Sequence, residues 1–224
     1  MNSETLLSDG IMDLRRNDTN IDRIIAPRSE EIISLLSRYL NEIELFNHVY
    51  GLVGTENRES LVIRHILDSL APLGIISRLL NEVRGARIAD AGSGAGLPGI
   101  PLAVVLSACD FTLIERMGKR ANFLWNTKAS LGLPNVTIEE KELEKTDGLF
   151  DLVIFRAFKP LEPKLLAALF KICVHGGAIA AYKGRREKIE KEIAPLEKTL
   201  IHSEVIPYNA PFLNEERHLL VIRR

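Results

Sequence analysis

The sequence predicts a doubly wound α/β sheet, mostly parallel, with an antiparallel pair at its C-terminal end and a helical cap at its N-terminus. Three observations carry that reading. Apolar residues recur at helical spacing up to about residue 85, strand and helix patterns alternate from Arg87 onward, and the last two apolar runs have no helix between them. A chain of 224 residues is long enough for one sizeable core, and 46% hydrophobic with 26% charged residues is typical of a soluble globular protein.

Residues 1–28 are polar, with scattered Leu, and are expected to form an extension that is partly disordered or weakly helical. Residues 29–85 form the helical cap. Ser29-Glu30-Glu31 opens its first helix with acidic residues that suit the helix dipole, and apolar residues from Ile32 to Phe46 keep the 3.6-residue period. Gly51–Gly54 breaks it. Glu59–Leu70 is a second amphipathic helix, closed by Pro72 and Gly74, and a third covers Ile75–Val83.

Residues 86–224 carry the sheet. Strands are expected at Arg87–Ala91, Phe111–Ile114, Val136–Glu139, Asp151–Phe155 and Ala178–Tyr182, the fourth near-continuously apolar as a strand buried on both faces should be. Helices are expected at Pro98–Leu106, Lys119–Leu131, Pro163–Ile172 and Glu187–Glu197, with Gly176-Gly177 as a turn. The final strands, Leu200–Ile206 and His218–Ile222, lack a crossover helix and should be antiparallel.

The chemistry centres on Arg-Ile-Ala-Asp-Ala-Gly-Ser-Gly-Ala-Gly-Leu-Pro-Gly, Arg87–Gly99. Glycines between a strand and a helix let a backbone turn sharply or lie against a ligand. The spacing is GxGxG, Gly92, Gly94 and Gly96, with Asp90 two places before; it favours S-adenosylmethionine over a dinucleotide. In open α/β sheets ligands sit at the carboxyl ends of the strands. There the first strand delivers Asp90, Ser93 and Leu97 with the turn, and the second Glu115, placed to accept both hydroxyls of an unphosphorylated ribose. The third leads into Glu140–Glu144, the fourth ends in Phe155-Arg156-Ala157-Phe158, and the fifth in Tyr182-Lys183-Gly184. Carboxylates therefore gather on one side of the edge and cations on the other.

Absences narrow the substrate. The fourth strand does not end in the Asn/Asp-Pro-Pro-aromatic pattern that suits an exocyclic amine. Cys109 and Cys173 fall before strands, away from the turn, which argues against a thiolate nucleophile. A ring nitrogen with its own lone pair needs only positioning against a sulfonium methyl. No metal site is expected. The two cysteines fit a reducing, cytoplasmic compartment; the N-terminus does not resemble a signal peptide, and no apolar run was found to reach the ~18 residues of a membrane span. Net charge −1 means that nucleic-acid contact requires a local basic face. Candidates are Arg64, His65, Lys119, Arg120, Lys183, Arg185, Arg186, Arg217 and His218, each of which could instead be a solvated surface residue; Asp68 reads as the i,i+4 ion-pair partner of Arg64.

Six separated motifs then carry a resemblance. Arg64-His65-Ile66-Leu67-Asp68-Ser69, Gly96-Leu97-Pro98-Gly99-Ile100-Pro101-Leu102, Gly118-Lys119-Arg120, Arg156-Ala157-Phe158, Lys183-Gly184 and Glu216-Arg217-His218-Leu219 occur in that order. The chain resembles the small-subunit ribosomal RNA guanine-N7 methyltransferase G family, also called glucose-inhibited division protein B. The resemblance implies a class I S-adenosylmethionine-dependent methyltransferase fold (Rossmann-like), and methylation of guanine N7 in the decoding region of 16S rRNA. It also implies a bacterial, cytoplasmic protein whose partner is that RNA or the small ribosomal subunit; no membrane partner and a monomer are expected. By motif, Gly92 and Leu97 would hold the methionine part of the cofactor and Leu143-Glu144 would border the adenine. Arg156, beside cofactor and base, and Lys183 would orient the base and offset RNA charge. The chain departs from the family at Phe155, at Gly51-Leu52-Val53, and at Glu215, the last expected to be a local turn change. A methyltransferase for another RNA or a small molecule, and a non-catalytic ribosome-assembly protein that binds the cofactor, remain open readings.

Overall fold

The strands are β1 (Arg87–Ala91), β2 (Asp110–Ile114), β3 (Val136–Glu139), β4 (Phe150–Arg156), β5 (Cys173–Lys183), β6 (Ser203–Tyr208) and β7 (Arg217–Arg223). The computed structural model describes residues 3–54, 57–80, 84–196, 200 and 202–224, and in it they form one sheet in the order β3-β2-β1-β4-β5-β7-β6. β1 pairs in parallel with β2 and β4, β2 with β3, and β4 with β5, whereas β7 runs antiparallel to both β5 and β6. Strand order reverses between β1 and β4, so the glycine turn after β1 opens at the crevice where such sheets take ligands.

Side-chain alternation assigns the two faces of the sheet. Ala89, Ala91, Val153, Phe155, Ile179 and Ala181 pack under α9 (Pro163–Ile172) and α10 (Arg186–Ile193). Ile88, Leu113, Leu152, Ile154 and Ala180 face the other way, into a core shared with the N-terminal helices. Between them lies α7 (Gly99–Val105), buried at every residue, as its uniformly apolar Gly-Ile-Pro-Leu-Ala-Val-Val sequence requires. α8 (Gly118–Leu131) completes that layer and ends at Gly132 in the left-handed conformation.

Residues 3–28 are more helical than the expected partly disordered or weakly helical extension. They carry α1 (Ser3–Asn17) and α2 (Thr19–Ile25), the latter capped by Asp18, which accepts from the amides of Asn20 and Ile21. Leu7, Ile11 and Leu14 recur at i, i+4 and i+7 and are buried, so a polar composition concealed an amphipathic stripe. α3 (Ser29–Tyr50) follows and ends at Gly51 in the left-handed region. A continuous helical run is made of α4 (Arg58–Leu61), a π-helical stretch (Val62–Leu67) and α5 (Asp68–Leu70); α6 (Leu73–Leu79) comes next. Arg58–Leu79 is in fact long and apolar enough to cross a membrane by length and composition, but 67% of its apolar window is buried in this core. The cap thus shares one core with the sheet.

Gly176-Gly177 does not turn the chain into β5; the strand begins earlier, at Cys173, and runs through both glycines with a register shift against β4. The expected ends of helices at 81–83 and 197, and position 201 in an expected strand, lie outside the described residues.

Candidate functional site

The glycine turn is held from below and from both sides. The amides of Gly92 and Ser93 donate to the Ile114 carbonyl at 2.9 and 3.1 Å, the Ser93 hydroxyl donates to the Asp90 carbonyl, and the Gly99 amide donates to Asp90 Oδ2 at 3.0 Å. Glu115 accepts from the Gly94 amide at 2.9 Å and from the Met117 amide at 2.8 Å, one through each oxygen. From the cap, the buried Tyr39 hydroxyl donates to the Ala95 carbonyl at 2.6 Å.

This geometry separates the turn residues by role. At Gly94 (φ +58°) a Cβ would meet nothing closer than the Gly92 carbonyl at 3.9 Å, so that position faces open space. At Gly92 it would strike the Phe158 ring, which lies across the turn. At Gly96 it would strike Ile100 and Leu124, so Gly96 faces the core and not a ligand. Asp90, expected at the cofactor, is fully buried beneath the turn and lines none of the cavities described below; burial raises its carboxyl to about 7. Its contribution is to shape the loop.

Two cavities meet at Gly92. One, about 570 Å³, is lined by Gly92, Glu115, Leu143, Glu144, Phe158 and Arg120 among others. The second, about 460 Å³, is lined by Gly92, Ser93, Gly94, Leu97, Arg64, His65, Asp68, Arg120, Arg156 and Arg217. Arg120 borders both, its Nε buried and without a partner among the described residues. A further cavity of about 580 Å³ continues past Arg156 and Phe158 to Lys183, over the ring of the buried Phe155.

Asp68 is the node of the cation side. Its Oδ2 accepts from Arg156 Nη1 at 3.3 Å, and its Oδ1 from Arg217 Nε and the Tyr208 hydroxyl, both at 3.2 Å. A helix of the cap is thereby bonded to the ends of three strands. Arg156 also donates to the Arg64 carbonyl at 3.3 Å and to His65 Nδ1 at 3.4 Å. Burial, then the charges of Arg156 and Arg64, hold the His65 imidazole down at about 4, so it is neutral at neutral pH. Arg64 pairs not with Asp68 but with Glu215, at 2.7 Å, and Glu215 also takes Arg217 at 3.1 Å. Glu215 is therefore a bridge between two arginines and more than a turn change. The π-helical stretch carries Arg64 and His65, a departure from α geometry of the kind found at functional sites. Ala157, in the left-handed region at φ +49°, redirects the chain between Arg156 and Phe158.

Other expected RNA contacts divide. Lys183 is held by Glu192 at 2.7 and 2.8 Å and lies 5.7 Å from the Phe155 ring centre. Arg185 lines an outer cavity of about 870 Å³ with Lys183 and Arg217. Arg186 is turned away, donating to the Val205 carbonyl and Glu190. His218 is buried with its Nδ1 2.6 Å from the Gly184 carbonyl, and Lys119 is exposed on α8 and lines none of these cavities. Cys109 and Cys173 are buried, their thiols pushed up to about 12 and about 11 by burial, which leaves no thiolate at neutral pH. Sequence reasoning missed Asp68, Tyr208, Phe158 and Glu215 as members of the site. The one available signal was Asp68 itself, a carboxylate set within the apolar run Ile66–Leu70.

Comparisons with known proteins bear on the fold and the family. Among solved structures, a precorrin-6y C5,15-methyltransferase from Geobacter metallireducens aligns with a TM-score of 0.52 at 15% identity, covering 67% of this chain and 86% of that one. A SAM-dependent methyltransferase from Aquifex aeolicus aligns with a TM-score of 0.51 at 18% identity, covering 69% and 91%. Both share the class I methyltransferase fold. In sequence, the chain is 41% identical over 197 residues to the ribosomal RNA small subunit methyltransferase G of Treponema pallidum, covering 85% of each. It is 33% identical over 252 residues to that of Treponema denticola, covering 99% of this chain and 97% of the relative. The family model described as rRNA small subunit methyltransferase G matches residues 32–220. With nearly the whole length matched, the chain belongs to the rRNA small subunit methyltransferase G family.

Proposed function

We propose that this protein transfers the methyl group of S-adenosylmethionine to N7 of a guanine in the decoding region of 16S rRNA. The observation that carries the reading is the meeting of two unlike cavities at one glycine turn, in a chain of this family. The carboxylate-bearing cavity fits the cofactor. Each Glu115 oxygen has accepted one amide and keeps a lone pair for a ribose hydroxyl, Leu143 and Glu144 border the far wall, and Gly92 joins this cavity to the next one, where Gly94 faces open space. The unpartnered Arg120 Nε is a donor waiting for an anion, which suits a carboxylate such as that of the cofactor's methionine. When bound, S-adenosylmethionine supplies an electrophilic methyl on a sulfonium sulfur.

The arginine-lined cavity takes the base. Guanine N7 has a lone pair and no proton, so the chain need not provide a nucleophile or a general base. Arg156 lines both the arginine-lined cavity and the one that continues to Lys183, and orients the base, while Lys183, Arg185 and Arg217 meet the RNA backbone farther out. Ser93 and Leu97 line the arginine-lined cavity beside Gly92, where it meets the cofactor's. With this role goes a cytoplasmic protein that acts as a monomer on the ribosomal RNA or the small subunit. Transfer of tritiated methyl into 30S subunits and naked 16S rRNA from a strain lacking the modification tests the reading. Label is expected in at least one; none in either contradicts it.

A further inference from the structure

Among the described residues, the polar side chains that line the cavity proposed for the base are mostly hydrogen-bond donors, and Asp68 is the reason. Among the described residues it is the one carboxylate lining that cavity, and its oxygens are taken up by Arg156, Arg217 and Tyr208. The arginines have no acceptor atoms at all. His65 joins them by its tautomer. Arg156 can only donate, so His65 Nδ1, 3.4 Å away, must be the acceptor, and in the neutral ring the proton must then sit on Nε2. The imidazole's remaining polar group is thus an N–H donor on a residue that lines the cavity beside Gly92 and Gly94.

A donor next to N7 has a chemical meaning. Guanine and adenine both present N7 as an acceptor, but the neighbouring position is a carbonyl oxygen in guanine and an amino group in adenine. Resting on the function proposed above, we infer that the His65 Nε2–H, fixed by the Asp68–Arg156 network, selects guanine by donating to its O6. An adenine would bring its amino donor against the same N–H. His65 is a specificity residue, while Asp68 positions it through Arg156.

Three RNAs differing only at the target, with guanosine, inosine or adenosine there, test this on the unaltered protein. Inosine keeps N7 and O6 and lacks only the 2-amino group. Inosine is expected to be methylated within about 10-fold of guanosine, and adenosine to fall by about 100-fold or more, as sites built around a hydrogen bond reject its absence. His65→Leu should narrow the guanosine-to-adenosine ratio by about 10-fold in kcat/KM and in RNA affinity measured by fluorescence anisotropy without cofactor. His65→Gln, which retains an N–H donor, should restore part of it. Guanosine methylated with inosine inert would overturn the inference while sparing the parent reading, since recognition would then run through the 2-amino group. Adenosine methylated like guanosine, or an unchanged ratio in His65→Leu, would overturn it as well. Guanosine itself unmethylated would bring down the parent reading.

Discussion

Gly94 lines the arginine-lined cavity two residues from Gly92, where the two cavities meet, and its missing side chain faces open space with the backbone at φ +58°. Gly94→Val is expected to leave a folded protein, its stability lowered by about 1–2 kcal/mol for a left-handed β-branched residue, and to abolish cofactor binding in calorimetry. Affinity retained by a folded Gly94→Val protein contradicts the cradle assignment. The half-buried His65 and the buried Asp90 also set opposing pH dependences. His65 falls from 6.5 to about 4 on folding, so between those values the unfolded chain binds a proton the folded one does not, and stability rises with pH. Asp90 rises from 3.8 to about 7, so there the folded chain holds the extra proton and stability falls as pH rises. Asp90→Asn removes the second effect. In denaturant titrations its stability should gain more than that of the parent between about pH 4 and 6.5, and lose less between 6.5 and 7; parallel curves would contradict the assignment. Residue types at strand ends were readable because topology alone places them, whereas the inward aim of Asp90 and Gly96 depends on how the turn rolls over β1, which spacing does not encode.

Elements were legible where period and punctuation agreed. β1, β3 and α9 lie at the positions their patterns predict, and the antiparallel C-terminal pair follows from the missing crossover. The N-terminal helices were underestimated because three apolar residues, Leu7, Ile11 and Leu14, among many polar ones still make a stripe, and composition averages that stripe away. The π-helical stretch has no propensity signal, since tertiary packing decides it. α1 packs there through Gly10, where a Cβ would come 2.3 Å from Leu67 Cδ1. Gly10→Val must displace Leu67, the neighbour of Asp68, and is expected to cost about 1–3 kcal/mol by overpacking in urea unfolding. Unchanged stability would mean that α1 does not press on this turn.

Across the whole molecule, near-neutral charge concealed a polarised edge: carboxylates at the ends of β2 and beyond β3, arginines at the ends of β4 and β7, joined through a carboxylate from the cap. The sequence could place the strand ends but not the Asp68 node, because its partners lie 88 and 149 residues away along the chain. With no protein base required and His65 already neutral, kcat/KM of the Asp90→Asn protein, which lacks the titration near 7 beneath the turn, should be flat from about pH 6 to 8; a steep rise there with an apparent pKa near 7 would reveal a general base that the proposed chemistry does not use. The identity of the methylated nucleoside tests the central claim most directly. RNA methylated by the purified protein, digested and resolved by mass spectrometry, should yield 7-methylguanosine from a single position. A methyl group on an exocyclic amine, on carbon or on ribose would contradict the ring-nitrogen chemistry assigned to this site.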